Sequence, residues 1–405
     1  MAVVSTAILV KMQTSKKDNH NGLIGNAAWR QREASRRRRE WFWQLIVFAI
    51  VVAVVYLFAQ NVFDNLQARD IRSGFAFLSD RASFEIGESL IPVSSNDSFG
   101  RMFLAGMFNT LRVAILAIIT ATVLGVIVGL MRLSQHPLVR FLGVAHVEVY
   151  RNIPLLIQLF AIYLVITEFL PDSFDPIHFG TWAMLSKAGL QFSVPVHLWE
   201  ANLLALIVGI IAFFFTRVYL RKRFTGLMAG CNAVVAGFVL SVIVWISAGM
   251  FFGWSQPHQE GFLVTGGASA TPEFIALWVG LTTFTSAAIA EIVRAGVLAV
   301  PANQWAASAA LGMTRLQTIS NVILPQSLRL VIPPMASQYM NLTKNSSLAV
   351  IIGYPDIVSV GNTSIVIMGQ ALEAILIIML VYLLLNLVIA VIMNRVNASL
   401  IAAPR

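Results

Sequence analysis

Inside the apolar stretch Leu330–Gly353, a run of polar side chains interrupts what would otherwise be continuous hydrocarbon: Asn341, Lys344, Asn345, Ser346 and Ser347. An ammonium group at mid-bilayer costs a few kcal/mol or more, so a lysine there implies an anionic partner or an aqueous path. The run either ties helices together or lines the path of a polar solute. In the second case the chemistry is recognition of a carboxylate by Lys344 and its amide and hydroxyl neighbours. Glu291 and Arg294 stand three apart near one end of another apolar stretch, where the spacing suits a local ion pair. Arg151 and Asn152 mark the start of a third, where Arg151 snorkels or caps, or reaches across to a loop or partner. Thr282, Thr283, Thr285 and Ser286 suit back-bonding to their own helix. Glu168 and Glu373 are expected near span ends, within reach of solvent or headgroups.

Catalytic groupings do not assemble. There is no G-x-x-x-x-G-K-[ST] phosphate loop and no Gly-Lys dipeptide, so any ATP must be hydrolysed by a separate partner. His20, His136, His146, His178, His197 and His258 include no i, i+4 pair that would hold a metal on one helix face. No G-x-S-x-G elbow occurs, and no two carboxylates share a face deep in an apolar stretch. The single cysteine, Cys231, excludes an internal disulfide and reads as a packed small hydrophobe. Neither an enzyme nor a cofactor is expected.

The elements that must position these residues are set by composition. With 58% hydrophobic and 12% charged residues, the chain has too few polar side chains to cover a soluble surface. Its apolar residues must face lipid as well as each other. About 20 apolar residues cross a bilayer core of about 30 Å. Eight stretches qualify: Trp41–Gln60, Met102–Met131, Val147–Leu170, Ala201–Thr216, Cys231–Phe252, Phe274–Val293, Leu330–Gly353 and Ala371–Met393. The fourth is short and the seventh is broken by the polar run.

With the N-terminus inside, every Lys and Arg falls in a cytoplasmic segment except Arg69, Arg72, Arg81, Arg101, Arg112, Lys187 and Lys344. That asymmetry puts both termini in the cytoplasm of a plasma or inner membrane. The net charge of +9 is concentrated in the first 40 residues, ending in Arg36–Arg39 just before the first span. This is a juxtamembrane pattern, and nucleic acid is not an expected partner. The start of the chain lacks the basic n-region and cleavage site of a signal peptide, so the first span is expected to be retained. Asn61–Arg101 and Pro171–Glu200 read as extracytoplasmic caps without a core of their own.

Between the sixth and seventh spans lies Val300-Pro301-Ala302-Asn303-Gln304-Trp305-Ala306-Ala307-Ser308-Ala309-Ala310-Leu311-Gly312. Pro301 suits a helix start, the alanines make a slim strong helix, and Gly312 suits a left-handed stop. A second helix should follow, interrupted at Pro325 near the membrane surface. The bland alternative is an amphipathic interfacial helix-turn-helix.

This stretch resembles the cytoplasmic EAA loop of ABC importer permeases. The matching positions are Ala306-Ala307-Ser308, Gly312 and Val322-Ile323-Leu324-Pro325, with Ala306 where the family has glutamate and Ser308 where it has alanine. Three flanking segments resemble permeases for polar and general L-amino acids: Glu148–Leu156 with Arg151, Asn152 and Pro154; Ala290–Gly296 with Glu291 and Arg294; and Leu342–Ala349. The likeness covers roughly Arg101 to Arg395. It implies an all-α polytopic membrane protein of about eight transmembrane helices. Five would form a type I ABC importer core, with one extra N-terminal helix and an inserted pair at 201–252. The implied domains are a basic cytoplasmic tail (1–40), a first helix (41–60), a periplasmic loop (61–101), the transmembrane domain (102–395, with the coupling loop at 298–329) and a cytoplasmic tail (396–405).

The resemblance further implies that Ala306, Ala307, Ser308, Gly312, Val322, Leu324 and Pro325 contact ATPase subunits, and that Asn341, Lys344, Asn345 and Ser346 flank the translocation path. The implied partners are ABC ATPase subunits, a second homologous permease subunit or a second copy, a periplasmic amino-acid-binding protein, the amino-acid substrate and the bilayer. The competing reading is an ion-coupled secondary transporter or channel, which predicts deep acidic residues and paired broken helices. Neither stands out.

Overall fold

The computed structural model describes residues 36, 39–62, 64–65, 68, 73–220, 226–260 and 263–401. Most of the basic tail, the Arg221–Arg223 cluster and residues 402–405 lie outside the described residues, as does the side chain of Cys231. The chain divides into two units, Met1–Ser73 and Gly74–Arg405. The first unit contains α1 (Arg39–Val62), apolar on every face and preceded by an Arg36–Glu40 pair at 3.2 Å.

The second unit is built on α2 (Phe99–Met131) and α7 (Pro272–Leu298). Each starts with a hydroxyl cap: Ser98 accepts from Arg101 N–H and Thr271 accepts from Phe274 N–H. The two helices lie in close contact because small residues line their seam. A Cβ placed on Gly125 would meet Ile289 at 2.7 Å, so only glycine permits this crossing. Around the pair, Leu155, Leu159, Leu277, Leu281, Val331 and Leu342 join one buried apolar cluster.

Among the described residues six helices are single candidate crossings, and two bent pairs bring the count to as many as eight. The expected span Val147–Leu170 is one of the bent pairs. α3 (Pro137–Asn152) meets α4 (Leu155–Leu164, prolonged by a π turn Val165–Phe169) at 105°. Ile153 precedes a proline, which disfavours the helical region for it, and it sits at φ −94°, ψ 129°. The buried Gln158 holds the bend by donating to the carbonyls of Tyr150 and Ile153, both at 2.8 Å.

The insertion α5 (Leu198–Leu220) and α6 (Gly226–Phe252) is longer than the short fourth stretch suggested. Its helices pack on each other, with Ser241 Oγ donating to Ala205 O at 2.9 Å and Trp245 Nε1 to Asn202 Oδ1 at 3.0 Å.

The two caps share their buried residues with the helices they sit on. Phe77, Ala82, Phe99 and Phe103 form a buried cluster with Ile357 and Val360. The second cap and the segment after α6 form an antiparallel sheet in the order β1 (Ile177–Phe179), β2 (Ala183–Ser186), β3 (Gly189–Phe192), β8 (Ala268–Ala270). Smaller ladders pair β4 (Val194–Pro195) with β5 (Trp254–Ser255) and β6 (His258–Glu260) with β7 (Leu263–Thr265).

After α7 come α8 (Ala302–Ala310), α9 (Arg315–Thr318), a π turn (Ile319–Ile323), α10 (Leu324–Asn345) and a 3-10 turn (Ser346–Ile352). α11 (Ile357–Met368) follows at a 51° bend, and α12 (Ala371–Ile401) ends the described chain. Pro325 falls where the π turn Ile319–Ile323 passes into α10: the regular hydrogen-bond pattern changes just before it, but the helical path from α9 carries on through it. The interior prolines are Pro333 and Pro334, within α10 itself. Glu373 is buried rather than solvated, and accepts the Gly74 N–H at 2.6 Å.

Candidate functional site: the hairpin and the polar face of α10

The hairpin between α8 and α9 is capped on both sides of its turn by its own sequence. Pro301 stands just before α8, at the N-cap position, and Ser308 Oγ bonds back to Gln304 O at 2.8 Å. At the other end Gly312 N–H donates to Ala309 O at 3.0 Å and Met313 N–H to Ser308 O at 3.1 Å, the paired bonds of a Schellman stop. That stop needs φ > 0, and Gly312 has φ +70°. Two residues on, Thr314 and Gln317 form a capping box: Gln317 N–H donates to Thr314 Oγ1 at 3.3 Å, and Thr314 N–H donates to Gln317 Oε1 at 2.8 Å. The spacing Thr-x-x-Gln announced this box in the sequence.

Of the loop positions singled out from sequence, Ala306, Ala307 and Leu324 are exposed, Val322 and Pro325 half-buried, and Ser308 buried. The tip is apolar: Leu311 and Leu316, flanking the glycine turn, are 81% and 76% exposed. Gln326 ties the hairpin to the start of α10, donating to Val322 O at 3.0 Å and Gln304 Oε1 at 3.4 Å. From there α10 runs 22 residues, about 33 Å at 1.5 Å per residue, and carries the polar run in its last turns.

Helical phase splits that run. Ser337, Asn341 and Lys344, spaced four and three apart, are exposed on one face. Thr343 and Ser346 turn inward and bond to Tyr339 O at 3.0 Å and Thr343 O at 2.7 Å, while Asn345 is half-buried. Only part of the run faces the core of this chain. Among the described residues Lys344 makes no ion pair.

At the hairpin end of α7, Glu291 and Arg294 pair at 2.9 Å as their spacing suggested. Sequence alone missed the third member, Arg132 at the end of α2, which bonds the other oxygen of Glu291. No local pattern links positions 159 apart. Thr283 and Ser286 back-bond to their own helix, but Thr282 Oγ1 instead meets Thr120 Oγ1 of α2 at 2.7 Å. Arg151, Asn152 and Pro154 all sit exposed at the α3–α4 bend, with Asn152 bonded to Glu148 at 3.0 Å.

The opposite, sheet-bearing end holds a network that the sequence did not disclose. Fully buried Asn109 donates to Glu88 O at 2.8 Å and Pro355 O at 2.9 Å and accepts from Leu90 N–H at 3.1 Å. The Glu88 carboxylate takes Arg112 and the Thr271 hydroxyl, the latter at 2.6 Å. Beside it lies a pocket of about 390 Å³ lined by Glu85, Glu88, Thr271, Glu273, Ser359 and Thr363, among others. Taken together, the unit has a rigid protruding hairpin at one end, a helix leading from it to an unpaired cation, and a bonded plug at the other end. This arrangement suits transmission of movement to a polar path, and the described residues supply no catalytic grouping.

Residues 201–401 match the family described as "Binding-protein-dependent transport system inner membrane component". The putative amino-acid ABC transporter permease protein YhdX of Escherichia coli is 39% identical over 91% of this chain and 95% of its own length. The general L-amino acid transport system permease protein AapQ of Rhizobium johnstonii is 37% identical, over 91% and 93%. The glutamate/glutamine/aspartate/asparagine transport system permease protein BztB of Rhodobacter capsulatus is 34% identical, over 88% and 92%.

Proposed function

Because the chain belongs to the family of binding-protein-dependent inner membrane transport components, among the amino-acid ABC permeases, we propose that its hairpin is the handle by which ATP-driven closure is turned into transport. The chain is a membrane-spanning permease subunit of an ATP-driven amino-acid importer and forms part of the translocation path. ATP hydrolysis belongs to separate ABC ATPase subunits, and the hairpin of α8 and α9 seats on them by its apolar tip. The observation that carries this reading is mechanical. A hairpin capped on both sides of its turn is a stiff handle, and Gln326 ties it to α10, the helix that carries Asn341 and Lys344. Ala306 supplies no charge where the family has glutamate, so seating rests on Leu311, Leu316 and shape.

The exposed face Ser337–Asn341–Lys344 borders the path, with a second homologous permease subunit or a second copy opposite. Lys344 meets the carboxylate that every amino acid carries. A soluble amino-acid-binding protein delivers cargo on the periplasmic side, and both termini lie in the cytoplasm, in keeping with the distribution of Lys and Arg. Cross-linking from Ala307→Cys in a Cys231→Ser background tests the whole. Capture of the ATPase subunit is expected. Labelling of position 307 by an impermeant reagent from the periplasmic side would overturn the reading.

A further inference from the structure

The four-stranded sheet has two unlike faces. Directly opposed residues in antiparallel strands project to the same side. One row across the sheet is Ile177–Leu185–Leu190–Ala270, and a second is Phe179–Ala183–Phe192–Ala268. Both rows share a face, because their members are two residues apart along each strand, and they contain no polar side chain. The row between them, His178–Met184–Gln191–Ser269, points the other way and is mostly polar; Met184 and Gln191 in its middle are buried by the protein itself, while His178 and Ser269 at its ends are exposed.

The apolar face is covered only at one side. Leu190 and Phe192 pack against the main core cluster, which includes Ile166 from the π turn of α4 and Phe274 from the first turn of α7. Toward β1 the cover stops: Ile177 is exposed and Phe179 is 54% exposed. The apolar face therefore looks toward the ends of the spans, where the π turn after α4 ends in Phe169, itself 82% exposed. An aromatic chain joins the same cap to the inserted helices. Trp182 meets Trp254 edge-on at 5.1 Å, and Trp254 meets Trp245 of α6 at 5.3 Å. Tryptophans gather where hydrocarbon gives way to headgroups.

We propose that this sheet lies on the bilayer with its apolar face in the headgroup–acyl boundary of the adjoining leaflet, and that the occupant of the bare strip at β1 is phospholipid. The sheet is thus a float that fixes the depth of α4, α7 and the α5–α6 hairpin, with Ser269 and His178, the exposed ends of the opposite row, left to water.

The test uses the assembled importer in nanodiscs of phosphatidylethanolamine and phosphatidylglycerol, in a Cys231→Ser background, with a nitroxide at Phe179→Cys or at Ser269→Cys. Power saturation with oxygen and with a water-soluble nickel chelate reports depth. The oxygen-to-nickel accessibility ratio is expected to be severalfold higher at 179 than at 269. Ile177→Cys, on the same face, must agree with 179. Equal ratios on the two faces would mean that the sheet stands in water and would overturn the proposal. So would a site at 179 that is shut to both reagents, or becomes so when the binding protein is added, because the occupant would then be protein.

Discussion

Replacement of Gly312 isolates the stiffness of the hairpin from its shape. A Cβ at this position meets nothing within 4 Å, so a substitution clashes with no neighbour. What it meets is its own backbone: φ is +70°, and an L side chain in the left-handed region costs about 1–2 kcal/mol. That cost falls on the two capping bonds from Gly312 and Met313, which close α8. If the closed hairpin is the form that seats on the ATPase, a population penalty of 1–2 kcal/mol weakens seating by about 5- to 30-fold. Asparagine tolerates this region best among side chains and should lose least, alanine should fall in that range, and β-branched valine should lose most. The assay is equilibrium binding of the purified ATPase to the detergent-solubilised membrane subunits, with uptake into proteoliposomes as the second readout. The order Gly, Asn, Ala, Val is the expected result. A Gly312→Val protein that binds and transports like the parent refutes the idea that a rigid turn transmits the stroke.

Three further outcomes follow from the same geometry. Glu291→Gln leaves two guanidinium groups facing one neutral amide, with the Arg132 side chain only 12% exposed, and should cost about 1–3 kcal/mol, less than a fully buried pair. A lowered unfolding temperature in detergent, partly restored by adding Arg132→Gln, is expected; additive losses would show that the groups do not interact. Gln158→Leu removes two bonds that hold the α3–α4 bend and should destabilise by about 1–3 kcal/mol, read from the same melting curves. Lys344→Gln should depress uptake severalfold while leaving ATPase binding unchanged, and uptake at the parental rate would remove Lys344 from the path.

Much of this architecture was legible in the sequence, and the reasons are local. The spans appear because apolar runs longer than the bilayer is thick have few other uses, and Gly312 and Glu291–Arg294 appear because their partners lie within one or two helical turns. The bend before Pro154 also had a local cause, since the residue before proline avoids the helix, but the continuous apolar run concealed it. Strands of two to four residues are too short for alternation to register, so the sheet was read as a featureless cap. Long-range partners leave no trace in one sequence: neither Arg132 with Glu291 nor Asn109 with the carbonyl of Pro355 is signalled by spacing. The polar run of α10 was found, but its division into exposed Lys344 and inward Ser346 depends on the phase with which the helix seats, which hydropathy does not record.

The β4–β5 ladder has a topological consequence. Pro195 faces Trp254 and Val194 faces Ser255, so the chain leaves and re-enters the body of the protein through neighbouring strands. Everything between is a closed excursion, and the alignment of the remaining elements is set by residues outside it. Evolution can lengthen, shorten or exchange such a branch without re-registering its surroundings. The neck formed by those four residues is therefore a place where the length of the branch is decoupled from the packing of the rest.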